Sequence, residues 1–492
     1  ESAGPDSAAL STYDGFGRAV SQTVTNGAGT LSITAVAYDT LGNAVTNTTI
    51  YGDLTAVTST GYDSQGRAVS WADALGNTVF TVYDSLGQTL SLSGATYPVQ
   101  YAYDTVGRQT ELDTTRDGLT WDKTRFLFDG ATGLLTNKVY ADGSRVVYAY
   151  TDVGRLASRT WARNIVTAYS YDTLGQTLTI DYPGTWYDVY YAYDVFGYAS
   201  SSSNSFARYT FLNSLNGTAT NETAVIGTNV FTLARCLDGH NRVEDTDMAL
   251  EGISLGKTHY DRDTGGRISL VAFTNAVNTG YQTLYGYSDG YASGWEIQLG
   301  NGGTFRRVVL RDPHRPGLVT CISNTVGSAT VSAFCYGHDL LGKRSWQEDF
   351  DGSVTVTNAY YYNVLGEITN AVLGAYDCAF SYDSIGNRVW SVENAVTNTH
   401  TANNLNQYTS CAYDADGNMT QNGAWAYTWD AENRLRTAYP VSATNGSERV
   451  ICRYDHRNRR VIKRVEVLTG YEYTPPPSPP GNPDEWVEVR ST

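Results

Sequence analysis

One frame, Tyr-Asp-x-x-Gly, recurs nine times without flaw in this 492-residue chain, and it constrains the fold more than any other feature. Its constant residues are Tyr13, Asp14 and Gly17; Tyr38, Asp39 and Gly42; Tyr62, Asp63 and Gly66; Tyr83, Asp84 and Gly87; Tyr103, Asp104 and Gly107; Tyr171, Asp172 and Gly175; Tyr193, Asp194 and Gly197; Tyr382, Asp383 and Gly386; and Tyr413, Asp414 and Gly417. The first five copies start 25, 24, 21 and 20 residues apart. Degenerate copies fill the intervals: Phe128-Asp129, Tyr150-Thr151, Leu237-Asp238, Tyr260-Asp261, His338-Asp339, Tyr362-Asn363, Trp429-Asp430 and Tyr454-Asp455. After the glycine stands Arg, Asn, Gln or Lys in most copies, as in Gly17-Arg18 and Gly386-Asn387. A repeat of this period absorbs a length that would otherwise suggest several domains.

The unit has a physical reading. An aspartate opening a four-residue turn accepts hydrogen bonds from backbone N–H groups further on. Glycine at the fourth position supplies the positive φ of a type I turn with a bulge. Before the turn the residues alternate, with Val99, Tyr101 and Tyr103 on one face and Gln100 and Ala102 on the other. Val146/Tyr148/Tyr150 and Val189/Tyr191/Tyr193 repeat the pattern. A period of two is a strand, so each unit reads strand, turn, strand. The tyrosines are expected to stack on their equivalents in neighbouring strands. Composition agrees: 48 Gly, 38 Tyr and 2 Met, with no helical periodicity. The fold class predicted is all-β, a spiralling, curved sheet of repeated antiparallel hairpins. About forty strands at ~4.8 Å spacing make ~190 Å of sheet, which does not stay flat; closed once, it would be ~60 Å across and hollow.

The hairpin array is assigned to residues 1–470. Residues 471–492 read as a Pro-rich linker or loop, Thr474 to Pro483, followed by a short alternating strand, Trp486 to Arg490, of a chain expected to continue. The net charge of −16 argues against nucleic acid as a partner. It reads as a solubilising surface or as an acidic lining for a basic cargo. No apolar run is long enough to span a membrane. None of the six cysteines lies in a CxxC pair; Cys321 and Cys335 flank a hairpin, but isolated buried thiols are the expectation.

Candidates for chemistry must break the repeat. His240, His314, His338 and His456 fall at turn positions and read as surface substitutions, not bases. The recurrent aspartates read as turn openers, not as a glycosidase pair. Asp414 to Asn418 only slightly resembles a calcium loop, since Gly stands fourth and Trp425 occupies position twelve. No catalytic residue, metal site or cofactor is therefore predicted. The irregular stretches Ser200–Asn204 and Asn301–Pro316 are the places to look for a glycan surface.

Units such as Tyr103-Asp104-Thr105-Val106-Gly107-Arg108 resemble the YD or RHS repeats of bacterial RHS proteins, insecticidal toxin complex B and C subunits and the teneurin shell. The resemblance runs from Tyr13 to about Val467. It implies a strip of hairpins spiralling into a hollow shell, secreted or at the bacterial cell surface. In bacterial members that shell encloses a C-terminal toxin, cut free by an aspartyl-type motif at the end of the core. Nothing after Val467 matches that motif, and Asp312-Pro313 reads as a diverged turn, so self-cleavage is not expected. The function implied is a shell segment that encloses or displays a partner polypeptide. The alternative is a cell-surface adhesion or carbohydrate-binding module.

Overall fold

The computed structural model describes residues 7–26, 29–184, 188–275, 277, 280–288, 290–298, 303–468 and 486–491, the last as backbone alone. The described residues form forty-two strands, β1 (Ser7–Tyr13) to β42 (Trp486–Ser491), and no helix. Thirty-five belong to one sheet and seven to a second that begins at Cys411. Pairing follows chain order and is antiparallel. β1 pairs with β2 (Ala19–Asn26), and β2 pairs with β3 (Gly29–Tyr38). At the far end, β41 (Arg460–Leu468) pairs with β42. The segment Thr474 to Pro483, and with it the expected boundary at 470/471, lies outside the described residues.

The repeat dictates this ladder locally. In the first hairpin Thr12 faces Ser21, and the register then slips by one so that Tyr13 faces Ala19. The slip recurs immediately before the turn at Tyr38, Tyr62, Tyr83, Tyr171, Tyr193, Tyr382 and Tyr413. It is the bulge that a four-residue turn with a left-handed last residue produces. Gly17, Gly66 and Gly107 hold φ of 78°, 77° and 87°. Where glycine is missing, asparagine takes the same conformation, with φ of 60° at Asn241, 59° at Asn433 and 61° at Asn458.

Strand faces alternate most cleanly in β19 (Ala207–Asn213), where Ala207, Tyr209 and Phe211 are buried and Arg208, Thr210 and Leu212 are exposed. The apolar core is thin. One cluster is Ala207, Tyr209 and Phe211; another is Ala443 with Leu468. The most deeply buried side chains are Thr115, Thr167, Asp455, Ser202 and Ser391, all polar. Such a fold leans on ladder bonds, turn networks and satisfied polar contacts more than on a thick hydrophobic interior.

Three expectations are corrected. Cys321 and Cys335 are not isolated thiols; they face each other across an antiparallel pair and form a disulfide. The copy placed at Tyr260-Asp261 turns two residues later. Asp263 opens that turn, with Gly266 N–H donating to its carbonyl, while Tyr260 and Asp261 lie in β23 (Ile253–Arg262). The tyrosines before the turns bond to arginine and to main chain, as described below.

The chain forms two compact units. One comprises Glu1–Asp122 and Thr258–Thr399; the other comprises Lys123–Lys257 and His400–Thr492. Each unit therefore brings together two strips of hairpins distant in sequence.

Candidate functional site

The repeated site is the turn. Asp63 Oδ1 accepts from the N–H of Gln65 at 2.9 Å and of Arg67 at 3.0 Å, and its Oδ2 accepts from Arg67 Nε at 2.7 Å. Asp14, Asp104, Asp238, Asp263 and Asp430 bind the arginine four residues on in the same way. At Asp39, Asp383 and Asp414 an asparagine amide replaces it. These bonds favour the carboxylate. Asp238 is held down to about 2, first by the Arg242 N–H and then by its side chain, against the cost of desolvation. Asp14 and Asp63 are lowered for the same reasons.

Each turn is tied to the next repeat. The guanidinium of Arg18 lies 4.4 Å over the ring of Tyr38, and that of Arg67 lies 5.0 Å over Tyr83. Arg67 Nη1 also donates to the carbonyl of Asp84 at 2.7 Å. The tyrosine hydroxyl reaches back to the strand after the preceding turn: Tyr38 to Ala19 O, Tyr62 to Ala44 O, Tyr83 to Ala68 O and Tyr103 to Thr89 O. Tyr171, Tyr193 and Tyr382 donate to the carbonyls of Leu156, Thr177 and Ile368. In the degenerate copy Trp429, the indole Nε1 donates to Met419 O at 2.7 Å, doing the same task. The sequence signal was present in the Arg, Asn, Gln or Lys that follows the glycine in most copies, but its partner one repeat away was not.

The hairpins have two edges. The motif turns stand along one, and the return connections between repeats stand along the other. In both units the motif turns of the later strip rest on return connections of the earlier one. In the first unit, a Cβ on Gly52 would lie 2.6 Å from His314 Nε2. Tyr97 donates to Glu367 at 3.0 Å, and Ser384 N–H donates to Arg116 O at 3.1 Å. In the second unit, Arg159 Nη2 holds both carboxylate oxygens of Glu432, at 2.8 and 2.9 Å. Arg163 binds Asp416 through its N–H and Nε, and through Nη2 reaches Asp430 O and Asn433 Oδ1. An arginine thus occupies the one loop with a calcium-like pattern. Among the described residues no group of three or more His, Cys, Asp or Glu is placed to hold a metal ion.

The reading of two histidines is also corrected, one in each unit. His456 is not a surface substitution. Its ring packs edge-on to Tyr191 and Tyr209 and lies within 2.9 Å of Ser202 Oγ. Burial pushes it down to about 4. Beside it Asp455 accepts from Tyr209 Oη at 3.0 Å and from Arg459, and Asn204 Nδ2 donates to Tyr454 O. Burial, then Asp455, pushes Tyr209 up to about 12. His314 likewise packs on another hairpin. The irregular stretch Ser200–Asn204, singled out for glycans, is therefore covered by the chain's own turn at Asp455. From residue 303 onward, the second irregular stretch is strand followed by the turn at Asp312, whose Oδ1 accepts from the N–H of His314 and Arg315.

Comparisons with known proteins fit this architecture. No family model matches the chain. A stretch of 106 residues is 33% identical to the tRNA nuclease WapA of Bacillus subtilis (strain 168), covering 19% of this chain and 4% of that protein. It is 34% identical over the same length to the tRNA3(Ser)-specific nuclease WapA of Bacillus spizizenii. The crystal structure of TcdB2-TccC3-TEV superposes with a TM-score of 0.65 at 14% identity, covering 95% of this chain and 30% of that one. TcdB2-TccC3 itself gives 0.64 over 94%. The chain thus spans under a third of those structures and a small part of the WapA proteins. Nearly all of it shares the fold of part of those structures. No helix among the described residues is long and apolar enough to cross a membrane.

Proposed function

We propose that this chain is a non-catalytic wall segment of an RHS-type shell, and that the wall encloses or displays a partner polypeptide such as a toxin. The observation that carries the reading is the likeness to TcdB2-TccC3-TEV over 95% of the chain, together with the nine intact repeats. The site chemistry agrees with it. The aspartates and arginines that would serve a catalyst are engaged in holding turns, and the histidines His314 and His456 hold strips together. The Cys321–Cys335 disulfide favours an oxidising compartment, hence export. Solution scattering and electron microscopy of the 492-residue chain test the reading. A curved wall with a depleted centre is the expected result. A compact, solid globule would overturn it.

A further inference from the structure

In several engaged turns the residue two places after the turn opener meets the neighbouring strip. It is His314 after Asp312, Asp416 after Asp414, Glu432 after Asp430 and Arg457 after Asp455. In the later strip of the first unit the same position holds Leu341, Leu365 and Ile385, all half-buried. In the earlier strip it holds Phe16, Leu41, Leu86 and Val106, which are 88%, 73%, 78% and 72% exposed, with the exposed polar Gln65 between Leu41 and Leu86. These turns hold the same positive-φ glycines and the same aspartate bonds, so their geometry is that of the engaged turns. What differs is that nothing among the described residues covers them. A row of large apolar side chains at loop tips is costly to leave in water.

The complementary edge is also present in this unit. The return connections of the later strip expose Val354, Tyr376 and Val396. They are the counterparts of Gly52, Tyr97 and Arg116, which receive the motif turns within the unit.

We propose that the motif-turn edge of residues 14–107 is a docking edge for the return-turn edge, residues 351–396, of a second copy of this chain. The contact would continue, between molecules, the strip-on-strip interface that each unit already makes internally. Two different surfaces meet, so the association is heterologous and propagates head to tail. The inference does not rest on the wall reading, and its failure leaves that reading in place.

The test is sedimentation of the intact chain over a concentration series, with two double variants. Leu86→Asp with Val106→Asp spoils the motif-turn edge, and Val354→Asp with Tyr376→Asp spoils the return edge. Aspartate stands naturally at the motif-turn position in Asp416, and circular dichroism checks that both double variants keep the fold. The unmodified chain should form species larger than dimers. Each variant alone should stay monomeric at concentrations at least roughly tenfold higher, a shift equal to ~1.4 kcal/mol. An equimolar mixture of the two should stop at the dimer, because only one productive pair of edges remains. A chain that is monomeric throughout overturns the proposal. So does association that neither variant weakens, or a mixture that behaves as its separate components do.

Discussion

Asp455 shows what a turn aspartate does when it is also buried. Its side chain is 0% exposed, and it accepts from the N–H of Arg457 and Arg459, from Arg459 Nε and from Tyr209 Oη. Asp455→Ala leaves those donors unpaired and is expected to cost about 2–3 kcal/mol. Urea unfolding followed by hydrogen exchange at residues 455–459 measures it. The pH dependence follows from the same bonds. Asp14, Asp63 and Asp238 titrate below their unfolded values, so the unfolded chain binds more protons as pH falls. Their stabilisation is complete above the unfolded values near ~4 and is lost as pH falls through the depressed folded values, about 2 for Asp238. His456 adds an earlier step. Its folded value is also depressed, so stability is lost as pH falls from ~6.5 towards about 4. The groups around it are Asp455, Arg457, Arg459 and Glu222, with Ser202, Tyr191 and Tyr209. Thermal melts should decline in these two stages, and His456→Gln should remove the first while leaving the second.

The hairpin was legible almost entirely from local chemistry. The Asp opener, the positive-φ Gly and the Arg four residues on lie within one turn, and the structure places all three in contact at Asp63, Gly66 and Arg67. The turn at Asp238 was harder to see because Asn241 replaces glycine, although an Asp-x-x-Asn frame carries the same geometry. The tyrosine ties were not legible, because Tyr83 bonds Ala68 O and Arg67, and both belong to the preceding repeat. The disulfide belongs to this scale too. Cys321 and Cys335 meet only because the register of the pair sets Cys321 opposite Cys335 and not one residue aside. Alkylation of the denatured, unreduced chain should modify four thiols, Cys236, Cys378, Cys411 and Cys452. Reduction should add two more and destabilise the strand pair by up to ~3 kcal/mol. Six reactive thiols before reduction would show that the bridge does not form.

At the scale of each whole unit, the decisive contacts join residues 246 to 273 apart, as in Tyr209 with Asp455 and Arg159 with Glu432. Arg163 satisfies a carboxylate, a carbonyl and an amide oxygen at once. Arg163→Ala is expected to destabilise the second unit by about 2–4 kcal/mol. Limited proteolysis should then cut first in residues 414–434, whose turns lose their anchor. Unchanged cleavage there would show that the strips hold together without it.

The sequence by itself determined that this protein is all-β, where most of its motif turns fall and which side chains build them. Those properties depend on φ, on short hydrogen bonds and on a period of two, all within about twenty residues. Only the tertiary structure decided which turns are engaged and which are free. Leu41 and Leu341 stand at the same place in the same kind of turn, one exposed and one half-buried, and nothing local separates them. Their difference depends on how many hairpins the chain lays down before one strip returns against another. That is why a histidine read as a surface residue is a contact, and why a stretch read as a binding surface is already filled.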